Sequence, residues 1–178
     1  MTYRYRSLVG IMALSAVVTG VGVWLAYLFE LALLRVVPVT TWALLVGLVE
    51  EGVVRLVPLI LTFYAWSYWR GRLLSKTEGF LAAVTSGVTV AVLELVFKLE
   101  YLTRFETAAQ FDSLVLPLVF VHLPFALVAG RFAYALGERI HETDEIGVPS
   151  LSRRTVVLLA LGYLGLALAH IGYNLLIR

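Results

Sequence analysis

The sequence predicts an all-α integral membrane protein, a polytopic bundle of about five transmembrane helices, and two observations carry that reading. Hydrophobic residues make up 61% of the chain, the mean hydropathy is +0.91 and charged residues are only 15%, whereas a soluble domain is about 45–50% apolar and about 25% charged. The apolar residues also gather into runs near the length a bilayer core requires, about 20 residues each. The 178 residues hold roughly five such runs and little else, so the chain reads as one transmembrane domain over residues 1–178. Cysteine is absent, which excludes disulfides and thiol catalysis. A net charge of +2 is too small to argue for a nucleic-acid partner.

The first run, Leu8 to Phe29, follows Arg4 and Arg6. It is too long for the core of a signal peptide and is expected to be a retained anchor. The second, Pro38 to Tyr68, exceeds one perpendicular span and is expected to tilt, with Pro58 kinking it by freeing the carbonyl of Val54. Gly79 to Phe97, Leu114 to Leu136 and Thr155 to Ile177 follow. Between the third and fourth, Lys98 to Asp112 carries Leu99, Leu102, Phe105 and Ala109 on one helical face and Arg104 and Glu106 on the other, which predicts a short interfacial helix. The connection from Glu138 to Ser150 is polar and acidic, with Gly147, Pro149 and Ser150 as a turn before the last helix.

Basic residues set the orientation. With the amino terminus inside, the inner side carries Arg4, Arg6, Arg70, Arg72, Lys76, Arg139, Arg153 and Arg154, with Arg131 near it, against Arg35, Lys98, Arg104 and Arg178 outside. This bias predicts the amino terminus in and the carboxyl terminus out. Traced at about 1.5 Å per residue, Glu94, His122, His170 and Asn174 fall in the outer half of the bilayer, and Glu50 and Glu51 near mid-depth.

A carboxylate at such depth costs on the order of 2.5–3.5 kcal/mol even on lenient scales, so two adjacent ones need partners or a purpose. Glu51 and Arg55, four apart, share a helical face in the order that favours an ion pair, while Glu50 points about 100° away. Glu50 is therefore the freer candidate base. His170 and Asn174 share a face of the last helix beside the small residues Gly162, Gly165, Ala169 and Gly172, a surface that suits close helix approach. His122 stands between Pro117 and Pro124, where a disturbed backbone can open toward a wet cavity. Each group also has a purely structural reading: an ion pair for Glu51 with Arg55 and for Glu94 with Lys98, interhelical hydrogen bonding for His170 with Asn174, a satisfied core position for His122.

The run Glu50-Glu51-Gly-Val-Val-Arg55, then His122, then His170-Ile-Gly-Tyr-Asn174 resembles the three-part pattern of the CPBP superfamily, the intramembrane glutamic proteases that include the CAAX prenyl endopeptidases. Glu94 is similar to the extra acidic motif of its PrsW branch, and an outward-facing site favours that branch. Arg55 follows the glutamate pair by four, as in the CAAX-type pattern; Leu118 stands where an aromatic residue often precedes the His, and Leu95 where the PrsW pattern often has Asn.

The resemblance implies an endopeptidase of a prokaryotic plasma membrane that cuts a membrane-anchored protein or peptide near the outer face. Glu50, oriented by Glu51 and His122, would activate water; His170 and Asn174 would stabilise the oxyanion; Glu94 would hold the water or a histidine. No cofactor is favoured, although Glu94, His122 and His170 are the candidate ligands if zinc is used. The same polar cluster also suits a proton-coupled transporter or a noncatalytic membrane scaffold.

Overall fold

The computed structural model describes residues 2–33, 36–105, 121–142 and 152–176, and within them all side chains except those of 2–4, 39, 40, 43, 98–105, 139–142, 155 and 173–176. All regular structure there is helical. The helices are α1 (Thr2–Leu33), α2 (Val39–Val49), a π-helical turn (Glu50–Leu56), α3 (Val57–Arg70), α4 (Lys76–Phe105), α5 (Leu123–Glu142) and α6 (Arg153–Leu176). Two of them, over Tyr5–Leu33 and Lys76–Phe97, are long and apolar enough to cross a membrane, and α6 has a shorter apolar stretch, Val156–Gly172.

The second apolar run is where the structure departs most from the sequence reading. It is one continuous line of helix, but its middle is wound as a π-helix, with the Val57 N–H donating to the Gly52 carbonyl five residues back. Pro58 follows directly. It has no N–H to offer the Val54 carbonyl, so the α-helical ladder is interrupted there, and the wider winding lies in the turn just before it. Instead of a simple kink at Pro58, the chain places the extra width at the turn that carries Glu50, Glu51 and Arg55. Helix α1 seals that turn. A β-carbon built at Gly22 would stand 2.5 Å from the Val53 carbonyl oxygen and 3.0 Å from Pro58 Cγ, so only glycine lets the two backbones approach this closely.

At the opposite end, α3 closes on Gly71, which adopts the left-handed conformation (φ 60°) while Arg72 N–H reaches the Ser67 carbonyl at 3.2 Å and Gly71 N–H the Tyr68 carbonyl at 3.3 Å. Helix α4 then starts in a capping box. Glu78 N–H donates to Ser75 Oγ at 3.2 Å and Ser75 N–H to Glu78 Oε2 at 2.8 Å. The same buried carboxylate accepts from Ser7 Oγ of α1 at 2.6 Å, Trp66 Nε1 of α3 at 3.3 Å and both terminal nitrogens of Arg72. Glu78 thereby ties three helices at one end of the bundle, with every hydrogen bond charge-assisted.

Between the ends, α1 and α4 pack along small and polar positions: Ser15 Oγ donates to the Ala82 carbonyl at 2.7 Å and Thr19 Oγ1 to Ser86 Oγ at 3.0 Å. Such positions let helices approach in an apolar medium where burial of apolar area supplies no drive. The apolar core is built on Ile11, Leu59, Phe63, Trp66, Ala83 and Ala129. Outward-facing Leu25, Leu61, Val88, Leu161 and Leu168 are exposed, as lipid-facing positions would be. Helix α4 runs unbroken to Phe105, so the first half of the expected interfacial segment continues a long helix; its side chains, and residues 106–112, lie outside the described residues.

Candidate active site

The π-helical turn delivers three ionisable side chains into the bundle. Glu51 and Arg55 form the expected i, i+4 ion pair, and both are sealed from solvent, at 0% and 1% side-chain exposure. Glu50 keeps an opening, at 12%. The other elements bring their groups to the same place. Glu94 comes from α4, His122 from a π-helical residue pair leading into α5, and His170 from α6. Bare positions make this possible: a β-carbon at Gly87 of α4 would meet the His122 carbonyl oxygen at 3.2 Å, and one at Gly47 of α2 would meet Ile171 Cγ1 at 2.5 Å.

The contacts form one unbroken line. Glu94 Oε2 lies 2.9 Å from His122 Nε2. His122 Nδ1 meets an Arg55 terminal nitrogen, and Arg55 pairs with Glu51. Glu51 Oε1 is 2.7 Å from His170 Nδ1, and His170 Nε2 is 3.1 Å from Glu50 Oε2. Glu30 of α1 stands close to Glu50. Six ionisable residues from the π turn, α4, the start of α5 and α6 therefore join end to end, with Glu30 of α1 beside Glu50. Phe125 closes one side, with its ring 5.2 Å from the Arg55 guanidinium carbon and 6.3 Å from the His170 ring.

Hydrogen-bonding capacity fixes who donates. Arginine only donates, so His122 Nδ1 must accept, and its ring proton then sits on Nε2, which is 2.9 Å from Glu94 Oε2 but not aligned for a hydrogen bond. His122 thus stands between Arg55 and Glu94. His170 is arranged differently. Its Nδ1 has Glu51 Oε1 at 2.7 Å and an Arg55 terminal nitrogen at 3.5 Å; the nearer partner takes the hydrogen bond, so Nδ1–H donates to Glu51 with the guanidinium beside it as a charge, which leaves Nε2 and Glu50 as the pair across which a proton can pass.

The line departs from the expected pairing in one respect. Glu50 meets His170 and Glu30, whereas His122 is held by Arg55 and Glu94. Glu50 is thus not a free carboxylate, and His122 does not orient it. Asn174 lies on α6 one turn beyond His170, and its side chain lies outside the described residues, as does that of Lys98. Glu30 is a site residue that the sequence reading missed. A signal was present: Glu30 is the sole acidic residue before Glu50.

Zinc does not fit this donor set. Arg55 reaches Nδ1 of both rings, His170 at 3.5 Å, and so already supplies a fixed positive charge where Glu94, His122 and His170 would have to converge on a dication. Both Nε2 atoms face separate carboxylates. Compared with known proteins, the chain matches no family model, no curated protein and no solved structure.

Proposed function

We propose that the chain is an intramembrane endopeptidase of the CPBP/PrsW type, crossing the membrane about five times with its amino terminus inside, and cutting a membrane-anchored protein or peptide near the outer face. The observation that carries the reading is the 3.1 Å contact of His170 Nε2 with Glu50, the more open of two adjacent carboxylates whose other member is sealed in an ion pair. That is the division of labour hydrolysis needs: one carboxylate free to exchange a proton, one holding the imidazole in place.

Glu50 takes a proton from water as the water oxygen bonds to the substrate carbonyl carbon. Glu51, through Nδ1, keeps the His170 ring turned so that Nε2 bears on Glu50 and on the charge that develops beside it. Collapse of the tetrahedral intermediate breaks the C–N bond, and the proton held by Glu50 goes to the leaving amine. Arg55, buried among the groups, offsets their negative charge at no cost in reorganisation. The site works without a metal, because the cation is supplied by the chain.

A proton-coupled transporter would need the line of groups to continue through the bundle. One to two turns inward, Val23, Ala26, Val54 and Val90 pack as a buried apolar cluster, which favours hydrolysis over conduction. Purified protein in liposomes with a panel of single-span reporter proteins tests the reading, with fragments identified by mass spectrometry. The wild type cuts and Glu50→Gln loses about 10²–10⁴-fold in rate. Equal fragments from both overturn the assignment, and proton flux that requires Glu50 without any cleavage supports transport instead.

A further inference from the structure

We propose that Tyr163 is a positioning residue of this site, which grips the π-helical turn by its backbone and so sets where Glu50 and Glu51 stand on the His170 ring. Tyr163 and His170 are seven residues apart on α6, about two turns, and so present to one face. His170 meets the turn through its carboxylates. Tyr163 meets it through the main chain: its hydroxyl donates to the Leu48 carbonyl at 2.6 Å, two residues before Glu50. Its ring lies against Gly52, where a β-carbon would stand 3.3 Å from Cε2 and 3.5 Å from the hydroxyl oxygen. The tyrosine therefore brackets the glutamate pair, bonded before it and packed after it. A π-helical turn is held less strongly by its own hydrogen bonds than an α-helix, and an external donor at its entrance fixes the place at which the wider winding begins. The consequence for catalysis rests on the endopeptidase reading; the consequence for His170 does not.

The chain has three histidines, so ¹⁵N-histidine labelling of the full protein in detergent gives three rings to follow, His122, His141 and His170. Tyr163→Phe, which keeps the ring and removes the donor, is expected to move the His170 ring signals and leave His141 in place, and to lower kcat about tenfold with KM unchanged, the effect of one lost part-buried hydrogen bond. Gly52→Ala keeps the hydroxyl but pushes the ring outward, and is expected to move the His170 signals as well; it carries the test should Tyr163→Phe fail to fold. His170 signals that superimpose on the wild type in the folded variants overturn the proposal, including where thermal stability alone falls. If the signals move but the wild-type protein cleaves no reporter, the endopeptidase reading fails and the positioning role stands.

Discussion

Glu50 and Glu51 are neighbours in the chain yet stand on opposite nitrogens of one imidazole, Glu51 2.7 Å from His170 Nδ1 and Glu50 3.1 Å from Nε2. A ring held at both nitrogens cannot rotate, and a neutral imidazole has only one proton for two carboxyl neighbours. The difference between the two sides comes from burial and charge. Glu51 is sealed and paired with Arg55, whereas Glu50 is partly open and has another carboxyl, Glu30, close by.

Adjacent substitutions should therefore separate into different phenotypes. Glu51→Gln keeps the shape but leaves Arg55 buried without its countercharge, a change that costs about 3–5 kcal/mol when one partner of a buried pair is removed. Glu50→Gln removes no countercharge and should shift stability by under about 1 kcal/mol. Denaturant or thermal unfolding in detergent reads the difference. Equal destabilisation by the two variants would mean that the Glu51–Arg55 pair does not hold the turn.

Arg55→Lys should behave as a loss of function. Arg55 touches Glu51, His122 and His170 with its terminal nitrogens and stacks over Phe125. An ammonium is a point charge on a flexible stem and cannot span these directions at once. The expected result is a folded protein in which cleavage falls at least about tenfold and the His122 and His170 ring signals both move. Retained activity would reduce Arg55 to a simple countercharge.

Much of this site is legible in the sequence because hydropathy and periodicity are. Apolar runs give the helices, and the spacing of Glu51 and Arg55 gives their shared face. What hydropathy cannot give is helix rotation, and rotation decides that Glu50 meets His170 while His122 goes to Arg55 and Glu94. The π winding is hidden for a different reason. Pro58 announces that an α register must fail, but not whether the chain answers with a kink or a wider turn. Glu30 falls just past the end of an apolar run and so reads as an interfacial charge, although the helix continues through it to Leu33. The capping box of Ser75 and Glu78 has a plain Ser-x-x-Glu signature, and only its extra partners, Ser7 and Trp66, depend on tertiary packing.

Glu30 tests whether a neighbouring carboxyl matters to Glu50. Glu30→Gln can still hydrogen-bond a carboxylate through its amide, whereas Glu30→Ala removes the partner altogether. Cleavage by the alanine variant is expected to fall about tenfold, and by the glutamine variant less, in line with one hydrogen bond lost or retained. Equal, wild-type rates in both would place Glu30 outside the working site.

The absence of cysteine makes the arrangement in the membrane directly measurable, because any single introduced thiol is the one reactive group in the chain. Helix α1 and the line from α2 to α3 run in opposite directions, so the segment about Val36 and the turn about Arg72 must lie on opposite sides if each crosses. Val36 is 74% exposed, and Thr77, just past that turn, is also exposed and outside the Glu78 network, so both positions tolerate replacement and are reachable. In right-side-out vesicles, Val36→Cys is expected to react with a membrane-impermeant maleimide, while Thr77→Cys reacts only after the membrane is opened. The charge bias toward the inner side requires that order. The reverse pattern would turn the site toward the interior, and labelling of both positions in sealed vesicles would show that the line from α2 to α3 does not span.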